Sequence, residues 1–376
     1  MGTPSRVLAG NQAFKAMQGT ENQSFNIKNM QIKDVITYLE NIAPPVYQEA
    51  YDNTGLIVGD PHSALTGVMI CLDSTEAVIE EALVKNCNLI IAHHPIVFSG
   101  LKKLTGRHYV ERVVIQAIRH NLAIYAIHTN LDNVYQQGVN GKMAEKLGLV
   151  NTRILHPKAG IIKKLAAYVQ PEQSEALRQA LFEAGANLPN DPDKRSFASL
   201  GVATIPGQSG AQMKIEVLFS QAQERTIQQT LEAFGCIYEW HDLKNTHPRI
   251  GAGLVGELPK AMEETTFLKL LKKNFAVGCL KHTRLLGKPI QKVALCGGAG
   301  GFLLKQAKQA QADIFITSDY KYHDFFEADG QIVIADIGHF ESEQFTIGLL
   351  YEIISQKFTN FAAYCTEVNT NPVQYI

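Results

Sequence analysis

The chain has 376 residues, 45% of them apolar, more than one hydrophobic core usually serves, which points to more than one domain or to an insertion. Its 35 basic and 36 acidic side chains leave a formal charge of −1, which argues against a whole-chain field of the kind that gathers nucleic acid or an anionic membrane surface. No apolar run approaches the roughly 20 residues that cross a bilayer, no secretory leader is evident, and the cysteines form no C-x-x-C pair, so a soluble, reduced, cytoplasmic protein is expected.

Residues 1–29 carry no sustained period and many Gly, Asn, Gln and Ser, so a loose extension is expected there. From Met30 the spacing of Ile32, Val35, Ile36 and Leu39 predicts a helix that Pro44 and Pro45 end. A strand–helix rhythm follows. "GVMICLD" (67–73), "NLIIAHHP" (88–95) and "LAIYAIHTNLD" (122–132) read as buried strands with polar exits, and "STEAVIEEALVKN" and "YVERVVIQAIRHN" read as the helices between them. Such alternation implies a parallel sheet covered by helices.

Residues 164–186, "KLAAYVQPEQSEALRQALFEAGA", align without a gap on residues 214–236, "KIEVLFSQAQERTIQQTLEAFGC". Each copy runs from an alternating strand through a polar turn into an amphipathic helix that stops at a glycine, Gly185 or Gly235. With "SFASLGVATI" and "CIYEWHDL" as further strands, the repeat predicts an inserted split βαβ, ferredoxin-like module. The strand–helix rhythm then resumes with "KVALCGG" (292–298), "ADIFITSDYKYHD" (312–324) and "QIVIADIGHFESEQF" (331–345).

Three of these strands leave the interior on side chains that bind metals: His93 and His94 after "LIIA", His128 and Asp132 in "IHTNLD", His339 and Glu343 in "IGHFESE". Ligands of open parallel sheets bind beyond the carboxyl ends of the strands, so the clusters can share one crevice. Pro95 disfavours helix at His94 and ends the ladder, so adjacent imidazoles at this break can serve two neighbouring ions. His339 and Glu343, at i and i+4, share a helical face. The set is too small to close two tetrahedral sites unless a carboxylate bridges, and bridging leaves positions for water. His128 is either a partner that orients Asp132 or a general acid beside the ions.

The glycine turn "CGGAGG" (296–301) fits neither G-x-G-x-x-G nor a P-loop, and reads as a phosphate-facing turn or a purely structural one. "TSDYKYHD" (317–324) places Ser318, Asp319, Lys321, Tyr322 and His323 at another strand exit, as a solvated loop or as substrate contacts. "YDNTGL" (51–56) is a turn whose Asn53 can line the same crevice.

Taken in order, "YDNTGL", "AHHPIVF", "HTNLD", "CGGAGG", "TSDYKYHD" and "GHFESE" resemble the NIF3-like family, whose members are also labelled GTP cyclohydrolase I type 2 homologues. The resemblance runs from Met30 to about Thr366. It implies a discontinuous NIF3-like α/β metal-binding domain over residues 30–155 and 248–376, with a PII/CutA-like α+β domain inserted at 156–247. It also implies two divalent ions held by His93, His94, Asp132, His339 and Glu343, in a homohexamer. The ligand types suit Zn, Fe or Mn, and in a hydrolase His128 or His323 is expected to move protons. Ser318 departs from the glycine usual in the family's "TGD", and Tyr51 from a common tryptophan. The expected activity is metal-dependent hydrolysis of a small molecule or nucleotide such as GTP. The alternative is a metal-binding scaffold or regulatory protein whose insert binds an effector or partner; no membrane partner is expected, and the balanced charge gives nucleic acid little support.

Overall fold

The computed structural model describes residues 30–188, 194–205, 208–359 and 362–376; the extension expected at residues 1–29 lies outside them. The chain forms a mixed α/β structure with three sheets.

The first sheet orders strands Gly55–Val58, Ala123–Ala126, Leu89–Ala92, Val68–Cys71 and Ala363–Cys365. Only the Gly55–Val58 edge is antiparallel to its neighbour. Both faces are buried, which is why these strands read as continuous apolar runs. Ile70, Leu89, Ile91 and Tyr125 pack toward the helices Ile32–Ile42 and Phe345–Lys357. Their neighbours Met69, Ile90, Ala92 and Ile124 pack toward Glu76–Val84 and Tyr109–Arg119. Thr75 caps the Glu76–Val84 helix by accepting from the Val78 N–H at 3.3 Å, as the Ser-Thr start predicts.

The second sheet orders Lys281–His282, Val333–Asp336, Ile314–Thr317, Ile290–Leu295, Thr246–Met262 and Val150–Ala159. Its Ile290–Leu295, Ile314–Thr317 and Val333–Asp336 strands are parallel, and the rest are antiparallel. Alternation thus builds two separate parallel groups. The later strands join the long Thr246–Met262 strand instead of extending the first sheet, because Leu254 and Val255 pair directly with Leu295 and Ala294.

The third sheet orders Ser196–Ile205, Gln208–Ser220, Ile162–Val169 and Ile237–Leu243, all antiparallel. Helices Ser174–Glu183 and Glu224–Phe234 cover one face, and the repeat-matched pairs Leu177 with Ile227 and Leu181 with Leu231 are all buried in its core. Gly185 and Gly235 take φ of 92° and 60°, the left-handed geometry that a helix-ending glycine supplies without strain. The chain leaves the second sheet after Ala159 and returns at Thr246, and these two residues are paired partners.

Candidate metal centre

The carboxyl ends of the two parallel groups face each other. His93 and His94 follow the Leu89–Ala92 strand and stay tethered to the neighbouring Val68–Cys71 strand and its exit, their N–H groups donating to the Cys71 and Leu72 carbonyls at 3.1 and 2.9 Å, before Pro95 ends the ladder. His128 follows Ala123–Ala126 and opens the short helix Thr129–Asp132. From the opposite sheet, Val333–Asp336 leads through Gly338 into the helix His339–Glu343. Gly338 has φ of 88°, and a Cβ there would come within 2.2 Å of Glu341 Oε2, so only glycine turns the chain this way.

Each of the four imidazoles is fixed through Nδ1. His93 donates to the Ile127 carbonyl at 2.8 Å, His94 to Asp73 Oδ1 at 2.8 Å, His128 to Asp52 Oδ1 at 2.8 Å, and His339 to Asp319 Oδ2 at 2.7 Å. An acceptor on Nδ1 holds a proton there, so that a cation taking the place of any Nε2 proton would meet an Nε2 lone pair, the arrangement that metal-binding histidines adopt. The Nε2 atoms converge on one carboxylate oxygen: Glu343 Oε2 lies 2.9 Å from His94, 3.0 Å from His339 and 3.9 Å from His93. The His94 and His339 Nε2 atoms are 3.3 Å apart.

Two buried atoms in this cluster have no hydrogen-bond partner, His93 Nε2 and Asp132 Oδ1. They stand 3.6 Å apart. Orphaned buried polar atoms cost stability unless something else satisfies them. Two ligands at about 2.1 Å from a tetrahedral ion are about 3.4 Å apart, close to this separation, so the donor set fits a divalent cation. The described residues contain three groups able to hold an ion: His93, Asp132 and Glu343; His94, His339 and Glu343; and His93, His94 and His128.

The electrostatics also favour positive charge among these groups. For His94 burial works against protonation, but the hydrogen bonds to Asp73 and Glu343 outweigh it and push the pKa up to about 9. His339 is pushed up to about 11 in the same way, with Asp319 and Glu343 overcoming burial. Glu343, despite its burial, is held well below the usual carboxylate range by its imidazole neighbours. Burial and the charge of Glu343 raise Asp132. His93 is lowered to about 4, chiefly by burial, and stays neutral.

The structure brings His93, His94, His128, Asp132, His339 and Glu343 together on one crevice, but not His323. The His323 ring lies against Tyr322 and Phe326, on the exposed turn after Ile314–Thr317, and does not line the crevice. Asp319 of the same segment does reach the site, as the anchor of His339, with φ of 57°. Asn53 donates to the Val97 carbonyl at 2.6 Å, while its neighbour Asp52 anchors His128. The glycine turn is structural. The N–H groups of Gly297, Gly298 and Gly300 donate to Asn140 Oδ1, Ser342 Oγ and Thr317 Oγ1 at 3.0, 2.9 and 2.9 Å. A Cβ on Gly298 would fall 2.3 Å from Glu343 Oε1, so the turn makes room for that carboxylate.

Asp52, Asp73 and Thr370 were not among the expected site residues. Thr370 Oγ1, in the C-terminal segment, donates to Asp73 Oδ2 at 2.7 Å and so steadies the anchor of His94. Asp73 ends the apolar run "VMICL", the same pattern of strand followed by polar exit that marks His93 and His94. The crevice opens into a cavity of about 640 Å³, and a second cavity of about 530 Å³ shares Asp73, His94 and His339 with it.

A family model described as Duf34/NIF3 (NGG1p interacting factor 3) matches residues 30–372. The chain is 30% identical over 369 residues to a Staphylococcus epidermidis protein named "GTP cyclohydrolase 1 type 2 homolog", covering 92% of this chain and all of that one. It is 29% identical over 372 residues to a Bacillus subtilis protein of the same name, covering 93% of this chain and all of that one. Among solved structures, a Bacillus cereus protein related to NIF3 superposes with a TM-score of 0.80 at 29% identity, over 93% of this chain and all of that one. Among the described residues no helix is long and apolar enough to cross a membrane.

Proposed function

The chain belongs to the Duf34/NIF3 family, and from that premise we propose that it is a metal-dependent hydrolase with a dinuclear divalent centre. The observation that carries this reading is Glu343 Oε2, set among three imidazole Nε2 atoms beside the unpartnered His93–Asp132 pair. His93 and Asp132 would hold one ion, His94 and His339 the other, and Glu343 would bridge them. Bound there, Zn, Fe or Mn supplies Lewis acidity and a water acidified toward a pKa of about 7. His128 sits at hydrogen-bonding reach of Asp52, which fixes its Nδ1–H and leaves Nε2 free to take or give a proton in the crevice. The printed names of the relatives make GTP the first substrate to try.

Metal content per chain of wild type beside Glu343→Ala, by inductively coupled plasma mass spectrometry, tests the reading. About two ions in wild type and fewer in the variant are expected, with hydrolysis that depends on them. Wild-type protein that takes up no divalent ion after reconstitution would overturn it.

A second reading has its own support. We also propose that residues 156–247 form a ferredoxin-like, PII/CutA-like insert that signals to the centre, within a homohexamer. Tyr47 Oη and Ser220 Oγ are 2.9 Å apart, and Lys158 Nζ donates to the Tyr47 and Gln48 carbonyls at 2.9 and 2.8 Å. The same loop reaches the helical turn of Asp132, since Asn133 Nδ2 donates to the Tyr47 carbonyl at 2.8 Å and the Glu49 N–H to Thr129 Oγ1 at 2.9 Å. An effector on the insert therefore has a bonded route to Asp132. If metal-loaded protein turns over no substrate but loses effector binding when the insert is altered, this reading replaces the first.

A further inference from the structure

Four large aromatic side chains line the mouth of the crevice cavity while exposed to solvent: Tyr51 at 67%, Phe98 at 51%, Tyr109 at 50% and Phe302 at 61%. Single exposed aromatics are ordinary, but several on the rim of one cavity above a reactive cluster mark a ligand surface. The Phe98 ring stands edge-on to His128, with centroids 5.6 Å apart and planes at 85°. The loop carrying it is pinned by the bond from Asn53 Nδ2 to the Val97 carbonyl, so Phe98 is held at a fixed place over the centre.

The charge of the wall is the second observation. Among the described residues lining this cavity none is lysine or arginine, whereas Glu49, Asp73, Asp132 and Glu343 are carboxylates. In the glycine turn the N–H groups of Gly297, Gly298 and Gly300 already donate to side chains and are not offered to a phosphate. A nucleoside triphosphate would bring several negative charges, and beyond the ions and imidazoles of the centre itself the wall offers no lysine or arginine to meet them, so charge left unpaired in the cleft is expensive. A ring with at most one anionic group, set on the metal centre, meets no such opposition.

Resting on the metal-centre reading, we infer that this crevice takes a planar aromatic molecule without a polyphosphate, its ring stacked at the mouth on Phe98 and Phe302. Ring-on-aromatic contact is sequence- and substituent-tolerant and is worth about a five- to hundredfold change in affinity per aromatic removed. The family name points to GTP, and the wall points to the ring of such a molecule without its phosphates.

Calorimetric titration of zinc-loaded full-length protein tests this, using guanosine, adenine, nicotinamide and a neutral pteridine as ring probes beside GMP, GTP and inorganic triphosphate. Metal content is remeasured after each titration, because polyphosphates chelate. At least one ring probe is expected to bind, with GMP no tighter than guanosine and GTP at least about tenfold weaker than guanosine. Phe98→Ala and Phe302→Ala are each expected to weaken the bound ring by about five- to a hundredfold while metal content stays unchanged. The inference is overturned if no ring probe binds. It is equally overturned if affinity rises about tenfold with each phosphate and that gain is lost in the Lys102→Ala/Lys103→Ala variant, which would put the polyphosphate on the loop beyond Phe98. Ring binding that depends on Phe98 in protein unable to hold metal would keep this inference and remove the hydrolase reading. Ions held with no ring bound would do the reverse.

Discussion

His93 and His339 contribute to the same cluster from opposite sheets, yet they are held in different ways. The His93 ring is completely buried and its Nδ1 is anchored to a backbone carbonyl within the first sheet. The His339 ring is partly exposed and its Nδ1 is anchored to the side chain of Asp319, itself about half exposed. A backbone anchor moves only with the strand that carries it, whereas a side-chain anchor on a turn adds rotamers of its own. The first sheet thus offers a rigid candidate pair in His93 and Asp132, and the second sheet adds a looser, wetter donor in His339 beside His94 of the first. Two ions bound in this crevice should differ in how tightly they are kept.

The largest expected effect is that of Glu343→Ala, which removes the oxygen both halves share; metal content should fall from about two ions per chain to below one, as read by mass spectrometry. A variant that keeps both ions would show that the halves are independent. Asp132→Ala should remove the buried ion and spare the outer one, leaving about one per chain. Retention of both would break the assignment of Asp132 to the rigid half. Asp319→Ala should weaken only the outer ion, by about 10- to 100-fold in a competition titration with a fluorescent chelator. Because Asp319 stands at a left-handed φ of 57° that alanine tolerates less well, the same variant should also lose about 1 kcal/mol of unfolding free energy in urea titration. The smallest effect is kinetic: EDTA should strip wild-type protein in two phases, the outer ion first. A single phase would mean that the crevice opens as a whole.

The sequence made one half of this asymmetry visible. His93 and His94 stand after an uninterrupted apolar strand, and a strand cannot end on two imidazoles without giving each a partner, so their role could be read from the run "LIIAHHP". His339 and Glu343 were legible from their i, i+4 spacing, and the structure sets them on one helix with Nε2 and Oε2 at 3.0 Å. The repeat likewise foretold the buried Leu177, Leu181, Ile227 and Leu231. What stayed hidden depends on contacts between distant segments. Alternating strands and helices do not say whether they build one sheet or two, because that is decided by the pairing of Leu254 with Leu295. The anchors Asp52 and Asp73 lie 76 and 21 residues from the imidazoles they hold. His323 was expected to move protons beside the ions, but its turn leads outward to Tyr322 and Phe326.

Ala159 and Thr246 face each other as partners in the second sheet, at the point where the chain departs for the antiparallel module and comes back. Neighbouring antiparallel residues are about 5 Å apart, a gap that a two-residue hairpin turn closes. Closure of the host sheet at this point therefore does not depend on how much polypeptide lies between them. Such a seam offers a position for splicing in a fluorescent reporter that would register what the crevice binds.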